Sequence, residues 1–203
     1  MVNNVKLIRE HLHFDESGDT FYFVQILKRR KENPEMDKGV EVVETFYINS
    51  LDSFDRKVPR IIELCNQHNA RAYINMNELS HRKVTYEVLS LIAEGMKNDN
   101  FRAWMNIGNS ACGQTKAAKE KLWLIDLDGD SVQLIDEIHA YINDTLPFVD
   151  KKTGEPIGDK LAFCVPTKNG VHMMVRTFDL RDFDAKFPGI DLHKNNPTIL
   201  YIA

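Results

Sequence analysis

Residues 122–130 read LWLIDLDGD, in which four apolar residues are followed by alternating aspartate and leucine. The apolar run predicts a buried strand, and because successive side chains of a strand point to opposite faces, Asp126 and Asp128 project from the same face. Neighbouring carboxylates repel each other, so a fold retains such a pair mainly where a hard divalent cation neutralises it. The alternative is a strand that ends in a solvated Asp-Gly turn. Taken alone, the stretch is compatible with both.

Composition limits the class of protein. The 203 residues are 43% hydrophobic and carry 26 basic against 30 acidic side chains, a formal net charge of -4. Such a chain predicts one sizeable core, and any binding of polyanions has to come from a local patch. The three cysteines are far apart and form no CxxC pair, which is typical of reduced thiols. Since no apolar run approaches the roughly 20 residues of a membrane span, we expect a cytoplasmic protein without membrane contact.

The order of apolar segments predicts a single α+β domain over residues 1–203. It has an N-terminal αβ portion (1–105) and a motif-bearing portion (106–203), and no repeat or linker divides the chain. A helix at 80–98 is expected to bury the stripe Val84, Val88, Leu91, Ile92 and Met96. Further helices are predicted at 53–68 and 131–143, and strands at 20–28, 41–49, 70–76, 122–128, 161–166, 171–177, 190–192 and from 198.

Residues 106–120, NIGNSACGQTKAAKE, match a phosphate-binding P-loop only in part. Gln114 stands where the P-loop lysine would be, and six residues separate Thr115 from the next strand, whereas a parallel crossover needs about a dozen. We therefore predict a flexible loop whose lysines can meet phosphates. The basic candidates for phosphate or nucleic-acid contacts, each alternatively a solvated surface residue, are Lys28, Arg29, Arg30, Lys31, Arg71, Arg82, Lys116 and Lys119.

Three separated segments then follow one another: LIDLDGD from residue 124, PTKNGVHMMV from residue 166 and GIDLHKNNPTILY from residue 189. In this order they resemble the three catalytic motifs of the archaeo-eukaryotic primase superfamily. The first motif is a hydrophobic strand ending in DxD. The second is a small hydroxyl residue, a glycine-rich turn and a histidine followed by a hydrophobic strand, and this chain departs from it with Thr167 where serine is more usual and Asn169 in place of one glycine. The third is a hydrophobic and an acidic residue followed by a polar turn and a strand. Asn169-Gly170, a strong hairpin signal, supplies the turn of the second motif.

The resemblance implies an RRM-like catalytic core, a mixed or antiparallel sheet packed against helices. The implied activity is two-metal transfer of a nucleoside monophosphate from a nucleoside triphosphate to a nucleic-acid 3′-hydroxyl. A DNA or RNA template and helicases or other replication proteins are the implied partners. The implied ligands of two Mg²⁺ or Mn²⁺ ions are Asp126, Asp128 and Asp191, and the implied nucleotide contacts are His172, Thr167, Lys168, Asn169 and Gly170.

Other interpretations of the aspartate pair stay open. In a phosphatase of the haloacid-dehalogenase type, whose DxDG motif is close to residues 126–129, Asp126 would be the nucleophile and Asp128 the acid and base. A calcium loop would use Asp126, Asp128, Asp130 and Glu137, but Ser131 stands where that loop requires glycine. A third alternative is a non-catalytic nucleic-acid-binding accessory protein that has a primase-like fold.

Overall fold

The computed structural model describes residues 1–116, 120–129, 132–150, 153–195 and 197–203. Over these residues the protein has two antiparallel sheets and six helices. The predicted α+β class and the antiparallel pairing of strands are therefore confirmed. Within the same residues, no helix combines the length and the apolar character needed to span a bilayer.

The strands are β1 (Val2–Asn3), β2 (Thr20–Arg29), β3 (Val40–Ile48), β4 (Arg71–Ser80), β5 (Leu122–Asp128), β6 (Leu161–Pro166), β7 (Gly170–Arg176), β8 (Asp191–His193) and β9 (Thr198–Ile202). The helices are α1 (Val5–Glu10), α2 (Leu51–His68), α3 (His81–Lys97), α4 (Ile107–Gln114), α5 (Val132–Asn143) and α6 (Phe183–Lys186), with a short 3-10 helix at Ala103–Asn106.

The first sheet has the strand order β1-β9-β4-β2-β3. Its β2 and β3 are rich in aromatic and β-branched residues, which favour strands, and they pair with Phe23 opposite Tyr47. The last strand of the chain, β9, returns to this sheet and lies beside β4, with Thr198 opposite Ile74. Residues from both ends of the sequence therefore complete one sheet.

Helix α2 packs on the first sheet through the apolar face that its spacing predicts. Phe54, Ile61 and Cys65 are fully buried and belong to the core that the sheet also lines. The side chain of Ser50 accepts a hydrogen bond from the backbone N–H of Ser53 and caps the helix N-terminus. The helix predicted at 53–68 is confirmed and begins slightly earlier.

The second sheet has the order β6-β7-β5-β8. In chain order its elements are β5, α5, β6, β7, α6 and β8, so the first strand lies between the third and the fourth. Ile125 and Leu127 on one face of β5 pack into a cluster with Ile138 of α5 and Phe183 of α6. Leu124 on the other face joins the core shared with the first sheet. The two sheets therefore pack together on the face that carries Asp126.

The prediction of a flexible loop at 106–120 is wrong for the first half of this segment, because that part forms α4. Ala111 and Cys112 are buried there, and Cys112 joins a small cluster with Phe21 and Phe23 of the first sheet. The segment has glycines near both ends and only one short apolar pair, so it lacks the periodic apolar residues that indicate a helix. The burial that holds α4 comes from residues that are distant in sequence.

The prediction that α3 buries its stripe of apolar residues is also wrong. No residue of this helix is fully buried, and Ile92 and Met96 are 39% and 59% exposed. The helix lies along α4, which covers the side that carries Leu91. Periodic apolar residues predict the helix correctly, but they do not say how much of its surface a neighbour covers.

Asn77 of β4 joins the two sheets by imitating a strand neighbour of β5. Its side-chain Oδ1 accepts the backbone N–H of Leu122 at 2.7 Å, and its Nδ2 donates to the carbonyl of the same residue at 3.0 Å. A second amide, Asn195, donates to the carbonyl of Gly113 at 3.0 Å. Because Asn77 is only 2% exposed, its two bonds to Leu122 hold the start of β5 in a setting with little access to water.

Replacement of Asn77 by alanine is expected to destabilise the fold by about 1–3 kcal/mol, since the N–H and C=O of Leu122 lose their partners where water enters poorly. Urea unfolding measures this change. Gln114→Ala, at an exposed position at the end of α4, is the control and should change the stability little. Equal midpoints for both variants and the wild type would refute the role given to Asn77.

Candidate functional site

The candidate site is built around Asp126, at the centre of the second sheet. Asp126 lies directly opposite His172 of β7 on one side and directly opposite Asp191 of β8 on the other. Directly opposed residues of antiparallel strands share a face, with Cβ atoms about 4.5–5.5 Å apart. The pairing therefore brings together one residue from each of the three separated sequence motifs.

His172 is held between the two sheets. Its Nε2 lies 3.4 Å from Oδ1 of Asp126, and its Nδ1 lies 2.9 Å from the hydroxyl oxygen of Thr198 in the first sheet. Burial lowers the pKa of His172, while the charge of Asp126 opposes this shift. Thr198 is fully buried and was not singled out in the sequence, where it is one more residue of an apolar strand.

The turn between β6 and β7 lies against the end of β5. The backbone N–H of Thr167 donates to the carbonyl of Gly170 at 2.8 Å, and the N–H of Gly129 donates to the carbonyl of Asn169 at 2.7 Å. Gly170 is required by this close approach, because a Cβ atom built there would lie 2.0 Å from the carbonyl oxygen of Leu127. The hairpin predicted from Asn169-Gly170 is thus fixed beside the aspartate pair.

A cleft of about 340 Å³ lies between the sheets, and residues of both line it. One wall carries the carboxylates of Asp126 and Asp128 together with the turn between β6 and β7. The opposite wall is basic, so a ligand in the cleft would meet opposite charges on its two sides. The lining residues that bear polar groups are Asp126, Asp128, Thr167, Lys168, Asn169, His172, His193, Arg29, Lys31, Arg71 and Tyr73.

The basic wall is organised by Glu32. Arg71 donates a hydrogen bond to Oε1 of Glu32, and Arg29 lies 3.9 Å from its Oε2. Arg29 also donates to the hydroxyl of Tyr73 at 3.2 Å. One carboxylate therefore faces two guanidinium groups, which leaves net positive charge at the cleft. Buried Nε of Arg71 has no hydrogen-bond partner within the described residues.

Some of the predicted contact residues lie elsewhere. Lys28 pairs with Glu35 at 2.9 Å, Arg82 stands at the beginning of α3, and neither these two nor Arg30 and Lys116 line the cleft as the structure describes it. Lys119 falls outside the described residues. Conversely, His193 lines the cleft although the sequence reasoning passed over it. Strand alternation from Asp191 could have found His193, whereas no local signal marks Glu32 or Tyr73.

The donor set suits a hard divalent cation in chemistry, since Asp126 and Asp128 both present carboxylate oxygens to the cleft. Asp191 is exposed and does not belong to the cleft lining. Across the described part of the chain, no three His, Cys, Asp or Glu side chains are placed closely enough to hold a metal ion. Binding at this place would therefore require Asp191 to turn towards the aspartate pair or other ligands to contribute.

The chain matches no family model, no curated protein and no solved structure.

Substitution of Gly170 by alanine is expected to displace the turn from β5, because the new Cβ cannot fit beside the carbonyl of Leu127. Overpacking of this kind costs about 1–3 kcal/mol, which urea unfolding would detect. Gly39→Ala is the matched control, since a Cβ atom there meets nothing within 4 Å. A Gly170→Ala protein as stable as Gly39→Ala would show that the turn tolerates displacement.

Proposed function

We propose that the protein is a primase- or polymerase-like nucleotidyltransferase, which transfers a nucleoside monophosphate from an NTP or dNTP to a nucleic-acid 3′-hydroxyl. The observation that carries this proposal is the register of the second sheet. It sets Asp126 between His172 and Asp191, so that the three motifs resembling the archaeo-eukaryotic primase superfamily meet at one place. A chance similarity of three short segments gives no reason for them to become neighbours in space.

The arrangement of the second sheet supports an RRM-like core. Its elements run strand-helix-strand-strand-helix-strand, with the strands in the spatial order fourth, first, third, second. This is the order expected of a split β-α-β fold such as the ferredoxin-like one. In the proposed primase-like core, the DxD motif would occupy the end of the first strand of this unit, as it does at Asp126 and Asp128 of β5.

Asp126 and Asp128, with Asp191 from the neighbouring strand, are the residues that would hold Mg²⁺ or Mn²⁺. Two such ions stabilise the attacking hydroxyl oxygen and the leaving pyrophosphate in this class of reaction. The two carboxylates make the second-sheet side of the cleft negatively charged. They therefore repel an anionic ligand unless a cation lies between the ligand and the carboxylates.

The triphosphate would lie along the turn between β6 and β7. Lys168 can supply a positive charge there, Thr167 a hydroxyl and the backbone of Asn169 and Gly170 further hydrogen-bonding groups. The wall formed by Arg29, Lys31 and Arg71 faces it from the first sheet. We assign this wall to phosphates of the nucleotide or of a DNA or RNA template, and helicases or other replication proteins remain proposed partners.

A non-catalytic nucleic-acid-binding accessory protein is the second candidate. Two observations favour it: Asp191 lies outside the cleft lining, and the described residues contain no three metal-ligating side chains placed to hold an ion. Such a protein would use the basic wall to bind nucleic acid and would join no nucleotides. The two candidates differ in turnover and not in binding, so an assay of incorporation separates them.

The direct test is incorporation of a labelled nucleotide on a primed template in the presence of Mg²⁺ or Mn²⁺. The wild type is expected to extend the primer, and Asp126→Asn or Asp128→Asn should reduce the rate by about 100-fold or more, because transition-state charge loses its stabilisation. Asp136→Asn, an exposed position on α5, is the control for loss of one negative charge.

An active Asp126→Asn protein would contradict the catalytic assignment. A wild type that binds the primed template but incorporates nothing with either ion would favour the accessory protein. Denaturation curves of the three variants establish that a loss of activity reflects the site and not the fold.

A further inference from the structure

Thr198 connects the two sheets at the back of the cleft. It belongs to β9 of the first sheet, where its backbone pairs opposite Ile74, and it has no exposed surface. Its hydroxyl oxygen nevertheless lies 2.9 Å from Nδ1 of His172, a residue of the second sheet. Burial of a hydroxyl away from water costs free energy unless the hydroxyl forms a hydrogen bond. The contact with His172 offsets this cost for Thr198.

The surroundings of Nε2, on the other side of the His172 ring, indicate which atom of this contact carries the hydrogen. Nε2 of His172 faces Oδ1 of Asp126 at 3.4 Å, and an ionised carboxylate can only accept hydrogen bonds. Hydrogen on Nε2 makes this contact attractive, whereas a lone pair on Nε2 would oppose those of the carboxylate. In a neutral imidazole Nδ1 is then an acceptor, and the hydroxyl of Thr198 is the donor that satisfies it.

The same contact fixes the orientation of the ring. A half turn about the bond to the ring would put a carbon atom in place of Nδ1 beside Thr198 and another in place of Nε2 beside Asp126. Both polar contacts would then be lost in a place where His172 is only 8% exposed. Thr198 and Asp126 together favour one arrangement, in which the N–H of Nε2 faces Asp126, a residue that lines the cleft.

We propose that Thr198 is a positioning residue, which holds His172 as the Nε2–H tautomer. This N–H faces Asp126 in the free protein and would donate to a phosphate oxygen of a bound triphosphate. The ligand part of the proposal rests on the proposed function. Thr198 itself touches neither the cleft nor the ligand, and it acts through the ring of His172. Valine has nearly the same shape without the hydroxyl, and serine keeps the hydroxyl without the methyl group.

The test combines nitrogen NMR of the full chain with binding of a non-hydrolysable nucleoside triphosphate. Histidine nitrogens are observed at about pH 8, above the ordinary pKa of about 6.5, and the signals of His172 are assigned with His172→Gln. The wild type should show hydrogen on Nε2 and a hydrogen-bonded acceptor at Nδ1. Thr198→Val should move the Nδ1 signal to that of an unbonded nitrogen and weaken triphosphate binding by about three- to tenfold. Thr198→Ser should restore both.

A wild type with hydrogen on Nδ1 overturns the proposal without any variant, so it stays open to refutation even if Thr198→Val folds poorly. Unchanged His172 signals in a folded Thr198→Val protein overturn it too, as does unchanged affinity when the signals move. A wild type that binds no triphosphate overturns the proposed function instead, and the nitrogen signals still decide whether Thr198 orients His172.

Discussion

The register of β5 between β7 and β8 is the constraint on which the site depends. Side chains alternate between the faces of a strand, so a shift by one residue would turn Asp126 towards the helices and turn Ile125 and Leu127 towards the cleft and the first sheet. Those two apolar residues are held against α5 and α6, and this burial opposes the shift. The hydrophobic core on one face of the sheet thereby aims the carboxylates on the other face at the cleft.

The cleft exists because the chain leaves the second sheet after β8 and returns to the first sheet as β9. β9 carries Thr198 back to β4, where it meets His172, and the amide of Asn77 ties the same strand β4 to the start of β5. A carboxylate wall and a basic wall thus come from different sheets. In the proposed function, the basic wall would attract an anion, and a cation between the anion and the carboxylates would allow the anion to lie against the other wall as well.

Local patterns predicted the elements whose burial is one-sided and periodic. β5, α2 and the hairpin at Asn169-Gly170 carry their own signals, and the three motifs named most residues of the carboxylate wall. What escaped prediction depends on contacts between distant segments. Nothing near Arg71 indicates that Glu32, 39 positions away, will hold it. α4 is stabilised by aromatic residues of β2. α3 is exposed because few residues from other elements pack against it.

The proposed function requires the cleft to hold a triphosphate between the two walls, with a divalent ion at Asp126 and Asp128. A crystal structure grown with Mn²⁺ and a non-hydrolysable nucleoside triphosphate tests it most directly, because manganese is located by its anomalous scattering. We expect manganese within about 2.0–2.6 Å of carboxylate oxygens of Asp126 and Asp128, with the phosphates against the turn at residues 167–170. Manganese bound away from both aspartates, or a nucleotide bound outside this cleft, would contradict it.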